Sequence, residues 1–146
     1  MGVVLDELEQ TGLAASTVVA IIGDHGWQLG EHNLWGKLTN MELGTRVPLL
    51  IRSPQPSHAA LGGSHSRQLA ELVDLSPTLA ALAGLPQSPP GAEGVSLAPL
   101  FDKQPLTPAK TAAFSQFPRC PADLSTHGGA PLRVWDANCC NGVSRE

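Results

Sequence analysis

The chain has 146 residues, an ordinary length for one domain, with 42% apolar residues and a formal net charge of −4. That charge is not gathered into long single-sign runs, which argues against nucleic acid or an anionic membrane surface as a partner. No apolar run nears the roughly 18 residues of a membrane span, and the start lacks the basic and apolar regions of a signal peptide.

Val4, Leu5 and Leu8 fall at helical spacing with Asp6, Glu7, Glu9 and Gln10 opposite, which predicts a helix closed at Gly12. No capping residue precedes it, so it reads as cut rather than begun. Leu13 to Ser16 then leads into an apolar strand over Thr17 to Ile22, the second half of a βαβ unit whose first strand is expected upstream. The β-branched run Val18 to Ile22 lacks polar alternation, as does a strand buried on both faces of a parallel sheet. It stops at Gly23. Asp24 and His25 therefore fall just past the carboxyl end of a strand, where open α/β sheets collect ligands.

Further along, Val47 to Arg52 reads as a second buried strand closed by Pro54 and Pro56, and Ser57 to Ser66 as a loop. Leu69 to Val73 is either a short strand or an extended approach to a helix. Ser76 as cap and Pro77 at the first helical position predict a helix to Ala83, with Leu79 and Leu82 facing the core and Gly84 ending it. Six prolines between Leu85 and Pro108 exclude a continuous helix or central strand there. Thr111 to Phe117 is a last strand candidate, and Arg119 to Glu146 has no clear period. So few elements cannot cover a parallel sheet on both faces. The class expected is α/β, an incomplete parallel-sheet fragment, with residues 1–119 belonging to a larger domain and 120–146 an irregular tail.

The order Asp24-His25-Gly26-Trp27, Leu29-Gly30-Glu31-His32, Trp35, Lys37 and Thr45-Arg46-Val47-Pro48-Leu49 resembles the sulfatases, in their iduronate-2-sulfatase branch. The likeness continues through Asp74-Leu75-Ser76-Pro77-Thr78-Leu79 and Gly94-Val95-Ser96-Leu97-Ala98-Pro99-Leu100, returns at Phe114-Ser115-Gln116-Phe117-Pro118-Arg119, and fades after Arg119. It implies the later part of an alkaline-phosphatase-like sulfatase domain. The activity implied is hydrolysis of a sulfate ester, the 2-O-sulfate of iduronate-like units in glycosaminoglycan degradation, in a lysosomal or secreted enzyme. The partner implied is a sulfated sugar or glycosaminoglycan; the oligomeric state stays open.

By the same resemblance Asp24 is a ligand of a calcium ion and His25 either a second ligand or a group that orients the ester, since a hard cation prefers oxygen. Gly23 and Gly26 allow the bend that lets adjacent residues face one ion. Lys37 would set its ammonium against a sulfate oxygen and neutralise charge on the leaving ester oxygen. Trp27 and His32 are candidate substrate contacts, while Trp35 is read as packing. His58 and His65, without close-spaced Cys or His partners, are read as solvated loop residues rather than zinc ligands.

Sulfatases attack with a formylglycine made from cysteine in a Cys-x-Pro-x-Arg or similar context. Cys120, Cys139 and Cys140 all lack that context, so the chain offers no nucleophile and is expected to be catalytically silent alone. Cys120 could instead pair with Cys139 or Cys140 in an oxidising compartment. Two other readings are a non-catalytic relic that holds sulfated glycan through Lys37 and Arg46, and a phosphate-ester hydrolase of the same superfamily. A Thr or Ser nucleophile upstream would mark the latter.

Overall fold

The apolar strand forms where its sequence places it, but its partner runs the other way. The computed structural model describes residues 1–37, 39–85, 91, 93–104 and 110–116. In chain order the elements are α1 (Gly2–Gln10), β1 (Val19–Ile22), β2 (Gln28–Leu29), β3 (Trp35–Gly36), α2 (Glu42–Thr45), β4 (Leu49–Arg52) and α3 (Leu75–Leu82), joined by short 3₁₀ turns. They fall into two compact units, one built from residues 1–23 and 48–114, the other from 24–47 and 115–146.

In the first unit β1 and β4 pair antiparallel, Val19 opposite Arg52 and Ile22 opposite Leu49, and Gly23 N–H donates to the Pro48 carbonyl at 3.0 Å to carry the ladder one step on. The parallel arrangement expected for these strands is thus not how they pair. Nor are they fully buried. β4 alternates half-buried Leu49 and Ile51 with exposed Leu50 and Arg52, the pattern of a strand covered on one face. Arg52 reaches back to α1 and the turn after it, pairing with Glu9 at 3.3 Å and donating to the Ala14 carbonyl at 3.4 Å. The left-handed residue that follows α1 is Gly12, at φ 73°, a conformation that glycine adopts without a Cβ clash.

The tightest part of this unit is centred on Asp74. Of the two readings of Leu69 to Val73, the extended approach to a helix is the one found; it ends in a 3₁₀ turn, Leu72–Asp74, closed by a reciprocal capping box between Glu71 and Asp74. α3 thus starts two residues earlier than a Ser76 cap would place it, with Asp74 at the N-cap, and Ser76 makes no side-chain cap bond. Pro77 is accordingly the third helical residue, still within the first turn, whose N–H groups have no intrahelical partner. Asp74, fully buried, accepts from Glu71 N–H at 2.8 Å, from Val95 N–H at 2.7 Å and from the Lys110 ammonium at 2.6 Å. Thr78, also fully buried, donates to the Asp74 carbonyl and accepts from Leu97 N–H at 2.8 Å. Gly94 passes so close that a Cβ there would stand 2.2 Å from the Val73 carbonyl oxygen. Leu82 and Leu97 are buried beside this lattice, whereas Leu79 lines an open apolar groove with Leu72, Leu75 and Leu85.

Two other expectations change. Pro56–Leu61 is a 3₁₀ helix, and His58 is not solvated: it is buried, with Nδ1 2.8 Å from Ser53 Oγ and Nε2 3.2 Å from the Asp102 carboxylate. Residues 111–116 form no strand, although Phe114 N–H donates to Glu71 at 2.9 Å. Phe117 and the tail from Arg119, with its three cysteines, lie outside the described residues.

Burial alone would raise the Asp74 carboxyl, but the bonds from Lys110, Glu71 N–H and Val95 N–H outweigh it and hold it below its ordinary 3.8. Lys110, then Phe114 N–H, hold Glu71 below its ordinary 4.5. Depressed carboxylates contribute stability that is present above those ordinary values and lost as pH falls through the lower folded ones. Urea unfolding midpoints should therefore fall as the medium is acidified below about pH 4. Asp74→Asn should cost about 3 kcal/mol near neutral pH, because it leaves Lys110 partly buried with one carboxylate fewer. A midpoint unmoved by the substitution would contradict the hub.

Candidate functional site

The second unit carries the polar cluster, and its shape follows from two close backbone approaches and one hairpin. Gly26 N–H donates to the Gly44 carbonyl at 2.9 Å, and a Cβ on Gly26 would lie 1.9 Å from the carbonyl oxygen of Leu43 in α2. Only glycine fits that crossing. Beyond it β2 and β3 pair antiparallel, Gln28 opposite Gly36 and Leu29 opposite Trp35. The turn between them uses left-handed residues: Gly30 at φ 115°, His32 at φ 56° and Asn33 at φ 58°. Glu31 steadies it by accepting Leu29 N–H at 2.7 Å, and that bond lowers the Glu31 carboxyl from its ordinary value.

The hairpin brings Lys37 back to His25, twelve residues earlier. Lys37 Nζ stands 2.7 Å from His25 Nε2. His25 Nδ1 stands 2.9 Å from the carbonyl oxygen of Gly26. A carbonyl only accepts, so Nδ1 carries the proton, and Nε2 of the neutral ring presents its one lone pair to the lysine ammonium. Asp24 adds a carboxylate oxygen 3.2 Å from the same Nε2, while its other oxygen accepts His25 N–H at 3.0 Å. His25 is half-buried; the Asp24 side chain is 85% exposed, so its field is largely screened by water.

Asp24, His25 and Lys37 thus share one spot. Trp27 flanks it, its ring centroid 6.3 Å from that of His25 and tilted by 44°. His32 does not join them; it sits exposed at the hairpin turn and makes no hydrogen bond to the trio. Trp35, read as packing, is 72% exposed. A Cβ on Gly30 would come within 3.5 Å of the Trp35 ring, so the indole lies over the turn rather than in a core. Arg46 is exposed and engaged by Glu42 at 3.3 Å on α2.

As cation donors, Asp24 and His25 form a partial set. A carboxylate oxygen and an imidazole lone pair 3.2 Å apart suit two ligands of one ion of about calcium's size. Calcium takes about six to eight donors, mostly oxygen. Among the described residues no group of three or more His, Cys, Asp or Glu side chains gathers to complete such a site.

Sequence reasoning passed over Gln28, which is fully buried with neither end of its amide hydrogen-bonded. A two-residue strand carries too little pattern to reveal this. It also missed the surroundings of His58, whose partner Asp102 lies 44 residues away.

Residues 1–85 match the protein-family model described as Sulfatase. Similar curated proteins include iduronate 2-sulfatase of Mus musculus, 36% identical with 85% of this chain and 29% of the relative covered. N-acetylglucosamine-6-O-sulfatase of Bacteroides thetaiotaomicron is 33% identical, with 93% and 24% covered. Choline-sulfatase of Rhizobium meliloti is 38% identical, with 70% and 19% covered. The chain spans less than a third of the length of each.

Gly26→Ala should destabilise the chain by about 1–3 kcal/mol, since the added methyl must push α2 aside, whereas Gly2→Ala, with nothing within 4 Å, should be neutral or slightly stabilising. Denaturant unfolding of the two variants provides the comparison; equal effects would contradict the close crossing.

Proposed function

The chain belongs to the sulfatase family, and on that premise we propose that its stretch from Asp24 to Lys37 is one part of a site for hydrolysing a sulfate ester. The observation that carries the reading is the convergence of an ammonium and a carboxylate on one imidazole nitrogen, from residues otherwise separated by a hairpin. The alkaline-phosphatase-like α/β frame comes with the family.

Each group has a role that its chemistry supports. Lys37 pairs its ammonium with a sulfate oxygen and stabilises the negative charge that moves onto the ester oxygen as the sulfur–oxygen bond breaks. His25, anchored through Nδ1 on the Gly26 carbonyl, keeps Nε2 aimed at the point where Lys37 and Asp24 meet. Asp24, with His25, offers two of the donors of a calcium ion, which when bound would neutralise sulfate charge. Trp27 supplies a half-exposed aromatic wall beside the trio, suited to the apolar face of a sugar ring. His32 has no contact that assigns it a part.

The relatives' printed names share the sulfate ester and differ in what carries it: iduronate, N-acetylglucosamine and choline. Iduronate 2-sulfatases of mouse and human, at 36% and 34% identity, favour a 2-O-sulfated iduronate unit of a glycosaminoglycan as the substrate and a lysosomal or secreted setting. No helix among the described residues is long and apolar enough to cross a membrane. The covalent step needs a formylglycine, and none of the three cysteines stands in the required context. These residues alone therefore bind a sulfate ester without cleaving it.

Calorimetric titration of the 146-residue chain should detect a 2-O-sulfated iduronate disaccharide more strongly than its desulfated counterpart, and Lys37→Met should weaken that binding about tenfold, the worth of one charge-assisted hydrogen bond. No aryl sulfate should be turned over. Equal binding of the two sugars would overturn the site, and turnover by this chain would overturn its inactivity.

A further inference from the structure

The first unit holds a run of three polar side chains that the sulfate-ester reading does not use. Ser53 is the first residue beyond β4, and its Oγ stands 2.8 Å from Nδ1 of His58 on the 3₁₀ helix Pro56–Leu61. Nε2 of the same ring stands 3.2 Å from the carboxylate of Asp102, at the end of the 3₁₀ helix Ala98–Asp102. A carboxylate only accepts, so Nε2 carries the proton, and Nδ1 of the neutral ring presents its lone pair to the Ser53 hydroxyl. The ring is buried and held at both nitrogens, with the Phe101 ring centroid 5.3 Å from its own. Ser53 has one proton and two lone pairs. The proton points at Nδ1, and one lone pair accepts Gln55 N–H at 3.3 Å. The other is free, on a residue that is half-buried rather than sealed. We propose that Ser53 is an activated nucleophile, with His58 as its general base and Asp102 as the positioning residue that fixes the tautomer, and that it takes up the acyl or phosphonyl group of small activated esters and fluorides.

In this step Ser53 Oγ forms a bond to the electrophilic carbon or phosphorus. The bond from that atom to its leaving group breaks, the leaving group departs as an anion with the electron pair, and the hydroxyl proton passes to His58 Nδ1. The imidazolium so formed keeps its Nε2–H on Asp102. The two ring nitrogens exchange the parts they play in serine proteases, but such a constellation is defined by geometry and roles, and the base is whichever nitrogen lacks the proton. The Asp102 side chain is 66% exposed, so water screens its field, and its part is to hold the proton on Nε2. The site goes beyond the sulfate-ester reading and does not depend on it: Ser53, His58 and Asp102 belong to the first unit, His25 and Lys37 to the second. It does not replace the formylglycine.

Treatment of the chain with a biotinylated fluorophosphonate, followed by peptide mass spectrometry, tests this. The expected result is one adduct per chain, on Ser53, formed about 100-fold or more faster than on Ser57, the scale of general-base assistance. Ser57 is the more exposed of the two, so exposure does not account for such a preference. His58→Gln should slow the labelling of Ser53 about 100-fold. Should that variant fail to fold, the wild type alone suffices, because unfolding it in urea should erase the preference for Ser53. NMR of the chain labelled with ¹⁵N on histidine rings should place the His58 proton on Nε2, and in Asp102→Ala that placement should weaken and the labelling slow with it. Ser53 labelled no faster than Ser57, a preference that persists in urea or in folded His58→Gln, or a His58 proton on Nδ1 would each overturn the activated serine. A tautomer and a labelling rate unmoved by Asp102→Ala would overturn the part given to Asp102.

Discussion

The candidate site depends on one hydrogen bond that leaves no choice of partner: His25 Nδ1 to the carbonyl of its own neighbour, Gly26. It fixes which ring nitrogen carries the proton and thereby which one is free. Everything chemical in the second unit is arranged around the remaining nitrogen. Gly26 can offer its carbonyl there because it has no side chain to collide with Leu43, and the β2–β3 hairpin then delivers Lys37 to the free nitrogen. A glycine requirement, a tautomer and a lysine position are thus steps in one chain of cause.

The first unit is organised on a similar plan with different groups. Asp74 can be buried as a carboxylate because each of its oxygens meets donors, from Glu71, Val95 and Lys110, which together offset its desolvation. Thr78 repeats the device one turn along α3. These bonds tie segments 21 and 19 residues apart to α3, just before the 3₁₀ helix Ala98–Asp102. By contrast β1 and β4 keep large apolar side chains such as Leu50 and Ile22 substantially exposed. The chain spans under a third of its curated relatives, in which more polypeptide accompanies the matched part.

How much could be read from the residues alone differs by element. The β1 run was legible because four consecutive apolar positions, three of them β-branched, favour extended backbone; its antiparallel partner was not, since an apolar run says nothing of pairing direction. The Glu71–Asp74 box has a local spacing that sequence can reveal, but its completion by Lys110 comes from 36 residues away. His58 looked solvated for the same reason: Ser53 is near in sequence, but Asp102 is not. For Lys37 composition was no guide at all, and only its register in a family-like motif singled it out. The geometry now places it on His25 independently of that likeness. His32, taken from the same motif as a substrate contact, lies exposed at the hairpin, which indicates that matching letters locate a loop better than they assign roles within it; Trp35, read as packing, is exposed there too.

The most direct measurement is a long-range proton–nitrogen NMR correlation of the His25 ring in the metal-free chain, recorded for the wild type and for Lys37→Met. The account predicts a proton on Nδ1 in both, with Nε2 an acceptor whose shift changes when the lysine is removed. A proton on Nε2, or an Nε2 signal indifferent to Lys37, would mean that the three side chains do not share one point.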